Sequence, residues 1–120
     1  MEPVTEAEYE ERRVKWVAAL RSGEFKQGHD RLVTHHNNEE LYCCLGVACK
    51  VAGIQMENEG ESFLYMPRDG VSYYGLTDCH GAYIDKNGTV NSLANNNDVN
   101  NFSFERIATI IESKPSGLFK

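Results

Sequence analysis

The sequence predicts an α+β fold, with a small antiparallel sheet from hairpins packed against an N-terminal helix, a buried central helix and a C-terminal helix. Three observations lead there. Amphipathic stretches with capping signals stand near both ends of the chain. Residues 43–53 are apolar almost throughout, the mark of a helix buried on every side. Short β-prone runs, broken by turn-forming asparagine and glycine, fill much of the rest.

The first helix opens on Thr5-Glu6-Ala7-Glu8, a capping box in which hydroxyl and carboxylate each satisfy a free backbone N–H. Tyr9, Trp16, Val17 and Leu20 then recur at helical spacing, with Val14 at the edge of the stripe. Arg12, Arg13 and Lys15 fall largely off it and are expected in water. Ser22-Gly23 ends the helix, glycine taking the left-handed position. "RLVTHHNNEELYC" predicts a hairpin turning at His36-Asn37-Asn38.

In the central run Leu45, Val47, Ala48 and Val51 join Cys43, Cys44 and Cys49, and Lys50 is the lone strongly polar residue. Gly46 inside a helix costs about 1 kcal/mol relative to alanine, so a backbone crossing close by is expected there. Gly53 is the stop. "MENEGES" reads as an acidic surface loop, "SFLYM" as a strand, and Pro67 as the opening of a short helix ending at Gly75. Asn87-Gly88 within "AYIDKNGTVNSL" predicts a second hairpin. "NNNDVNN" reads as a polar loop. Ser103 caps a last helix with Phe104, Ile107, Ala108 and Ile111 along one face, and order is expected to end at Pro115 and Gly117.

Of the 120 residues 41% are hydrophobic and 25% charged, which supports one core and a single domain over 1–120. The net charge is −6 and no run of five basic residues occurs, so nucleic acid is not an expected partner; duplex binding needs clustered cations. No apolar run reaches membrane-spanning length, and "MEPVTEAEYEERR" lacks the basic-then-apolar order of a secretory signal. A cytoplasmic location is expected, where Cys43, Cys44, Cys49 and Cys79 stay reduced.

A cysteine nucleophile is the most pointed chemical reading. Cys43 or Cys44 at the N-terminus of the central helix, with His80 as base and Asp85 or Asp98 to orient it, would make a thiol-dependent hydrolase or transferase. The apolar run behind the sulfurs argues instead for packing, since a buried thiol in apolar surroundings is inert. Zinc on Cys79-His80 and upstream cysteines is disfavoured, because no Cys-x2-Cys pair occurs and adjacent ligands rarely converge on one tetrahedral centre. Asp85, Asn87 and Gly88 match part of a calcium loop, yet Tyr83 and Ala94 stand where its first and last oxygens belong. No phosphate-binding glycine loop is present, and no metal or cofactor is expected. "SFERIATII" could begin a helix-turn-helix, but no recognition helix follows.

What remains is a supply of tyrosines (Tyr42, Tyr65, Tyr73, Tyr74, Tyr83) and amides, enough to line a small-ligand pocket. Most such tyrosines are half-buried core residues with a wet hydroxyl. The contacts expected from positions at element ends are Gln27, Tyr42, Tyr73, Asn97 and Asp98. A free sheet edge would permit self-association into a homo-oligomer.

The segments "WVAALRSGEFKQG", "YCCLGVACKVAG", "MPRDGVSYYGL", "SLANNND" and "SFERIATII" together resemble a family of small uncharacterised proteins of bacteriophages and bacterial prophages. The pattern falls on Trp16, Leu20-Arg21-Ser22-Gly23, Phe25, Gln27, Pro67, Gly75-Leu76, Leu93-Ala94, Asn97-Asp98, Ser103-Phe104 and Ile107-Ala108. Its most specific part is Cys43-Cys44-Leu45-Gly46-Val47; it includes neither Cys79 nor His80. The chain departs from the pattern at Met66, at Gly70 and in its asparagine-rich stretch. The resemblance implies a phage or prophage origin and no mechanism. Joined to the small acidic chain and the lack of a complete catalytic constellation, it leads to the expectation of a non-enzymatic phage accessory protein in a host cytoplasm, binding a host protein or a small host metabolite or nucleotide signal, as an antagonist of a host defence.

Overall fold

A computed structural model describes residues 3–120. Along them run α1 (Glu6–Arg21), β1 (Lys26–Gln27), β2 (Val33–His36), β3 (Glu39–Tyr42) and α2 (Cys44–Ala52). There follow β4 (Glu57–Asn58), β5 (Glu61–Ser62), α3 (Arg68–Tyr74), β6 (Ala82–Ile84), β7 (Val90–Ser92), α4 (Leu93–Asp98) and α5 (Phe104–Ser113). The class is α+β, as the sequence predicts. α1 packs on α5, α2 and α3, and the three small sheets sit around this helical body. Among the described residues no helix is long and apolar enough to cross a membrane.

The capping box closes α1: Thr5 Oγ1 accepts from the Glu8 N–H at 3.1 Å, and the Thr5 N–H donates to Glu8 Oε1 at 3.4 Å. Trp16 and Leu20 are buried on the inner face. So is Arg13, contrary to expectation, at 4% exposure. Its Nε donates to the Tyr74 carbonyl at 2.9 Å and its guanidinium lies 3.8 Å from the Phe119 ring centre. Spacing alone could not reveal this, because a delocalised cation is tolerated inside only where carbonyls and ring faces surround it.

β2 and β3 pair antiparallel, with Asn37 and Asn38 at the turn with φ of +50° and +66°. Two left-handed residues make the tight hairpin whose twist suits the strands, and asparagine tolerates that region. β1 joins β3 in parallel, Gln27 opposite Tyr42, so this sheet is mixed and not purely antiparallel. Its far edge is β2, and the turn out of β3 leads directly into α2.

Cys43 caps α2, its Sγ accepting from the Gly46 N–H at 3.3 Å. The Leu32 carbonyl accepts from the Cys43 N–H at 3.2 Å and presses on Gly46 so closely that any Cβ there would collide with it. This is the expected close crossing. Gly53 ends the helix at φ +71°.

Further expectations fail. Residues 56–62 are not a loop but carry the β4–β5 hairpin, turned by Glu59 and Gly60 at φ +54° and +85°. The strand expected over 62–66 reaches only Ser62, because the Phe63 N–H and carbonyl go to Met56 and Leu32, leaving Leu64 and Tyr65 exposed. The stretch 95–101 is helical at its start: Ser92 Oγ accepts from the Asn95 N–H at 3.1 Å, and α4 buries Asn96 and Asn97 completely.

The chain also stays ordered beyond Pro115 and Gly117. Leu118 is fully buried, the Thr77 N–H donates to its carbonyl at 3.1 Å, and the Lys120 N–H donates to Gly75 at 2.8 Å. At the second hairpin the turn is wider than a two-residue one. Asp85 and Thr89 close it at 2.9 Å, with Gly88 at φ +78° and Asp85 Oδ1 accepting from the Asn87 and Thr89 N–H groups.

The contact at Gly46 yields a direct prediction. Gly46→Ala should destabilise the fold by about 3 kcal/mol or more, because backbone, unlike a side-chain tip, cannot step aside. Urea denaturation followed by circular dichroism reads this. An alanine variant as stable as the parent would mean that Leu32 does not cross there.

Candidate functional site

Three of the five expected ligand contacts do meet. Asn97 Oδ1 accepts from Gln27 Nε2 at 2.8 Å and from the Cys44 N–H at 3.2 Å. Its Nδ2 donates to the Gly28 carbonyl and to Asp98 Oδ1, each at 2.8 Å. The amide therefore uses both donors and both acceptor positions inside the protein. Gln27 Nε2 has its second acceptor in the Phe102 carbonyl at 2.8 Å, and Asp98 Oδ1 also takes the Asp30 N–H at 2.9 Å. Tyr42 stands beside Gln27 in the sheet, buried, with its ring edge-on to Phe25. Tyr73 lies elsewhere, its ring centre 4.1 Å from the Arg12 guanidinium and 4.9 Å from that of Tyr74. Gln27, Asn97 and Asp98 hold one another, and the Asn97 amide has nothing left over for a ligand.

The sulfurs separate in the same way. Cys44 is fully buried and its Sγ donates to the Leu93 carbonyl at 3.4 Å; Cys43 is 4% exposed and serves as the helix cap. Burial pushes the Cys43 and Cys49 thiols up to about 12, and that of Cys44 well above the usual range. His80 is paired with neither Cys43 nor Cys44: its Nδ1 is 3.5 Å from Cys79 Sγ and 3.9 Å from Asp78 Oδ2, and its ring lies tilted against Tyr65 with centres 4.2 Å apart. Among the described residues no three His, Cys, Asp or Glu side chains are grouped to hold a metal ion.

An open cleft of about 450 Å³ lies between the β6–β7 hairpin and α5. Tyr83, Phe102, Ile110 and Pro115 give it apolar and aromatic walls, while Lys86 and Asn87 from the turn and Arg106 from α5 supply polar groups. Tyr83 is held by its hydroxyl, which accepts from Asn96 Nδ2 at 2.5 Å. Arg106 lies with its guanidinium 3.6 Å from the Phe102 ring centre. Among the described residues it has no carboxylate partner. The acids of the same helix, Glu105 and Glu112, do not share the face of Arg106 and bind Arg21 at 3.2 Å and 2.8 Å.

None of the five expected contacts lines this cleft. The sequence signal for it was faint: Phe102 and Arg106, four apart on one side of a helix start, and an aromatic two residues before a turn. Of the cleft residues, Tyr83 alone stood among the tyrosines noted as ligand material.

Fold and site together define a small α+β protein with a sealed thiol-bearing core and an amphipathic cleft beside its last helix. The chain belongs to the family described as a domain of unknown function, DUF8296, whose model matches residues 9–78. No curated protein and no solved structure matches the chain. The matched span holds α1, the mixed sheet, α2 and α3, whereas the cleft residues all lie after it.

Two measurements check the state of the sulfurs. Iodoacetamide near neutral pH should add a single group to the folded protein, at the half-buried Cys79, and four after unfolding, read by intact mass. Rapid native labelling of Cys43 or Cys44 would show that the core is open. The second is alkaline stability. The folded pKa of Cys43 and Cys49 is raised from 9.0 to about 12, so below 9 both states keep the proton and these groups add no pH dependence. Above 9 the unfolded chain ionises first and stability falls as pH climbs toward 12. Urea midpoints should decline over that window, and Cys49→Ala should make the decline shallower.

Proposed function

We propose that this is a non-enzymatic accessory protein of phage or prophage origin that binds a small host metabolite or nucleotide signal and so antagonises a host defence. The phage origin rests on the Cys43-Cys44-Leu45-Gly46-Val47 pattern and the segments that accompany it. The observation that carries the binding reading is the cleft: aromatic and aliphatic walls, with an arginine that has no partner carboxylate, are what a small organic ligand requires. Its volume of about 450 Å³ falls within the roughly 300–1,000 Å³ usual for such sites. A host protein is the less favoured partner, because the polar groups here converge in a concavity and not on a flat apolar patch. The thiol-dependent alternative draws no support from sulfurs that are buried, protonated and apart from His80.

Native mass spectrometry of the protein taken from its host cell should report a small bound mass, and a metabolite panel should contain compounds that raise the melting temperature. Ser113→Trp fills the cleft from its rim and should abolish both effects while the circular dichroism spectrum is kept. Cys43→Ala should leave binding intact. Retention of the ligand by the tryptophan variant would place binding elsewhere, and no uptake of any compound would sink the reading.

A further inference from the structure

We infer that the cleft takes a ligand with a planar ring and a phosphate group, the class of 5′-mononucleotides, a narrowing that rests on the cleft being the ligand site. Three features of the side chains lead to this class. Arg106 is fixed by its stack on Phe102, 3.6 Å from guanidinium carbon to ring centre, so its planar fork of donors is held in place before any ligand arrives. Among the described residues those donors meet no acceptor and stay available to a ligand. The acids on its own helix, Glu105 and Glu112, stand one residue before it and six after, off its face, and are held by Arg21.

Lys86 adds a second cation from the hairpin turn on the opposite rim. Asp85 is the acid within the cleft, its Oδ1 taken up by the Asn87 and Thr89 N–H groups in shaping the turn, and the two cations outnumber it there. A carboxylate or phosphate is what an arginine fork and a lysine grip best, and phosphate offers oxygens to both rims at once. The walls between them fit a flat ring. Tyr83 is buried and locked by Asn96, Ile110 and Pro115 supply aliphatic surface, and Asn91 brings an amide to the same wall, which suits the polar edge of a base.

Isothermal titration of the full chain with AMP, GMP, CMP and UMP tests this, beside adenosine and inorganic phosphate. At least one nucleotide should bind, and adenosine and phosphate should each bind about tenfold more weakly or worse. Arg106→Ala should weaken the best nucleotide by about tenfold, Lys86→Ala by less, and rising salt should weaken it in the parent more than in Arg106→Ala. Both side chains are exposed, so melting curves should show folded variants. Adenosine binding as well as AMP, or an indifferent Arg106→Ala, overturns the phosphate assignment. Four silent nucleotides with a host metabolite still displaced by Ser113→Trp overturns the inference alone; no ligand of any kind overturns the cleft as well.

Discussion

The amide of Asn97 is the joint on which this molecule turns. It reaches from α4 to the first N–H of α2, to the side chain of Gln27 in β1 and to the carbonyl of Gly28, so three segments far apart in sequence meet at one planar group. Each bond adds on the order of 1 kcal/mol net, but a buried donor or acceptor stripped of its partner costs roughly 1–3 kcal/mol. A group with four such bonds therefore acts less as glue than as a specification: any shift of α4 against α2 breaks several at once. Among the described residues no buried side-chain nitrogen or oxygen lacks a partner, which is the condition for a polar joint in a core to be tolerable.

The sulfurs owe their state to this joint and its neighbours. α2 is clamped at its first turn from three sides: by Asn97 at the Cys44 N–H, by the Leu32 carbonyl against Gly46, and by Trp16, whose indole N–H donates to the Cys44 carbonyl at 3.0 Å. Tyr74 fastens the middle of the same helix through its hydroxyl, 2.6 Å from the Ala48 carbonyl. With both ends of the Cys44 peptide fixed, its thiol has no route outward and donates to Leu93 instead. A helix N-terminus ordinarily favours a thiolate. Here desolvation is the larger effect and the proton stays.

Local rules were legible in the sequence and long-range ones were not. The capping box at Thr5, the Asn37-Asn38 turn, the Gly53 stop and the close approach at Gly46 each follow from a few neighbouring residues and a known backbone preference. Arg13, Asn96 and Asn97 were misplaced because polar residues go inside only when partners arrive from elsewhere, here Tyr74, Tyr83, Gln27 and Cys44. The tail after Pro115 was misjudged for the same reason, since Leu118 is ordered by Thr77 and the core. Gln27, Asn97 and Asp98, expected as ligand contacts, meet in space, and the hydrogen bonds among them serve the fold.

That outcome bears on where a ligand can sit. A buried amide whose every donor and acceptor is spent internally, as at Asn97, offers nothing to a newcomer without first being broken. A site needs polarity left over where apolar walls surround it. On α5 the charges divide by face: Arg21 reaches from the end of α1 to bind both glutamates of that helix and Thr109, while Arg106 lies on another side against Phe102. The acids that fasten α5 to α1 and the cation that faces the cleft are thus separate, and a ligand gripped by Arg106 breaks none of the hydrogen bonds that hold the last helix to the first.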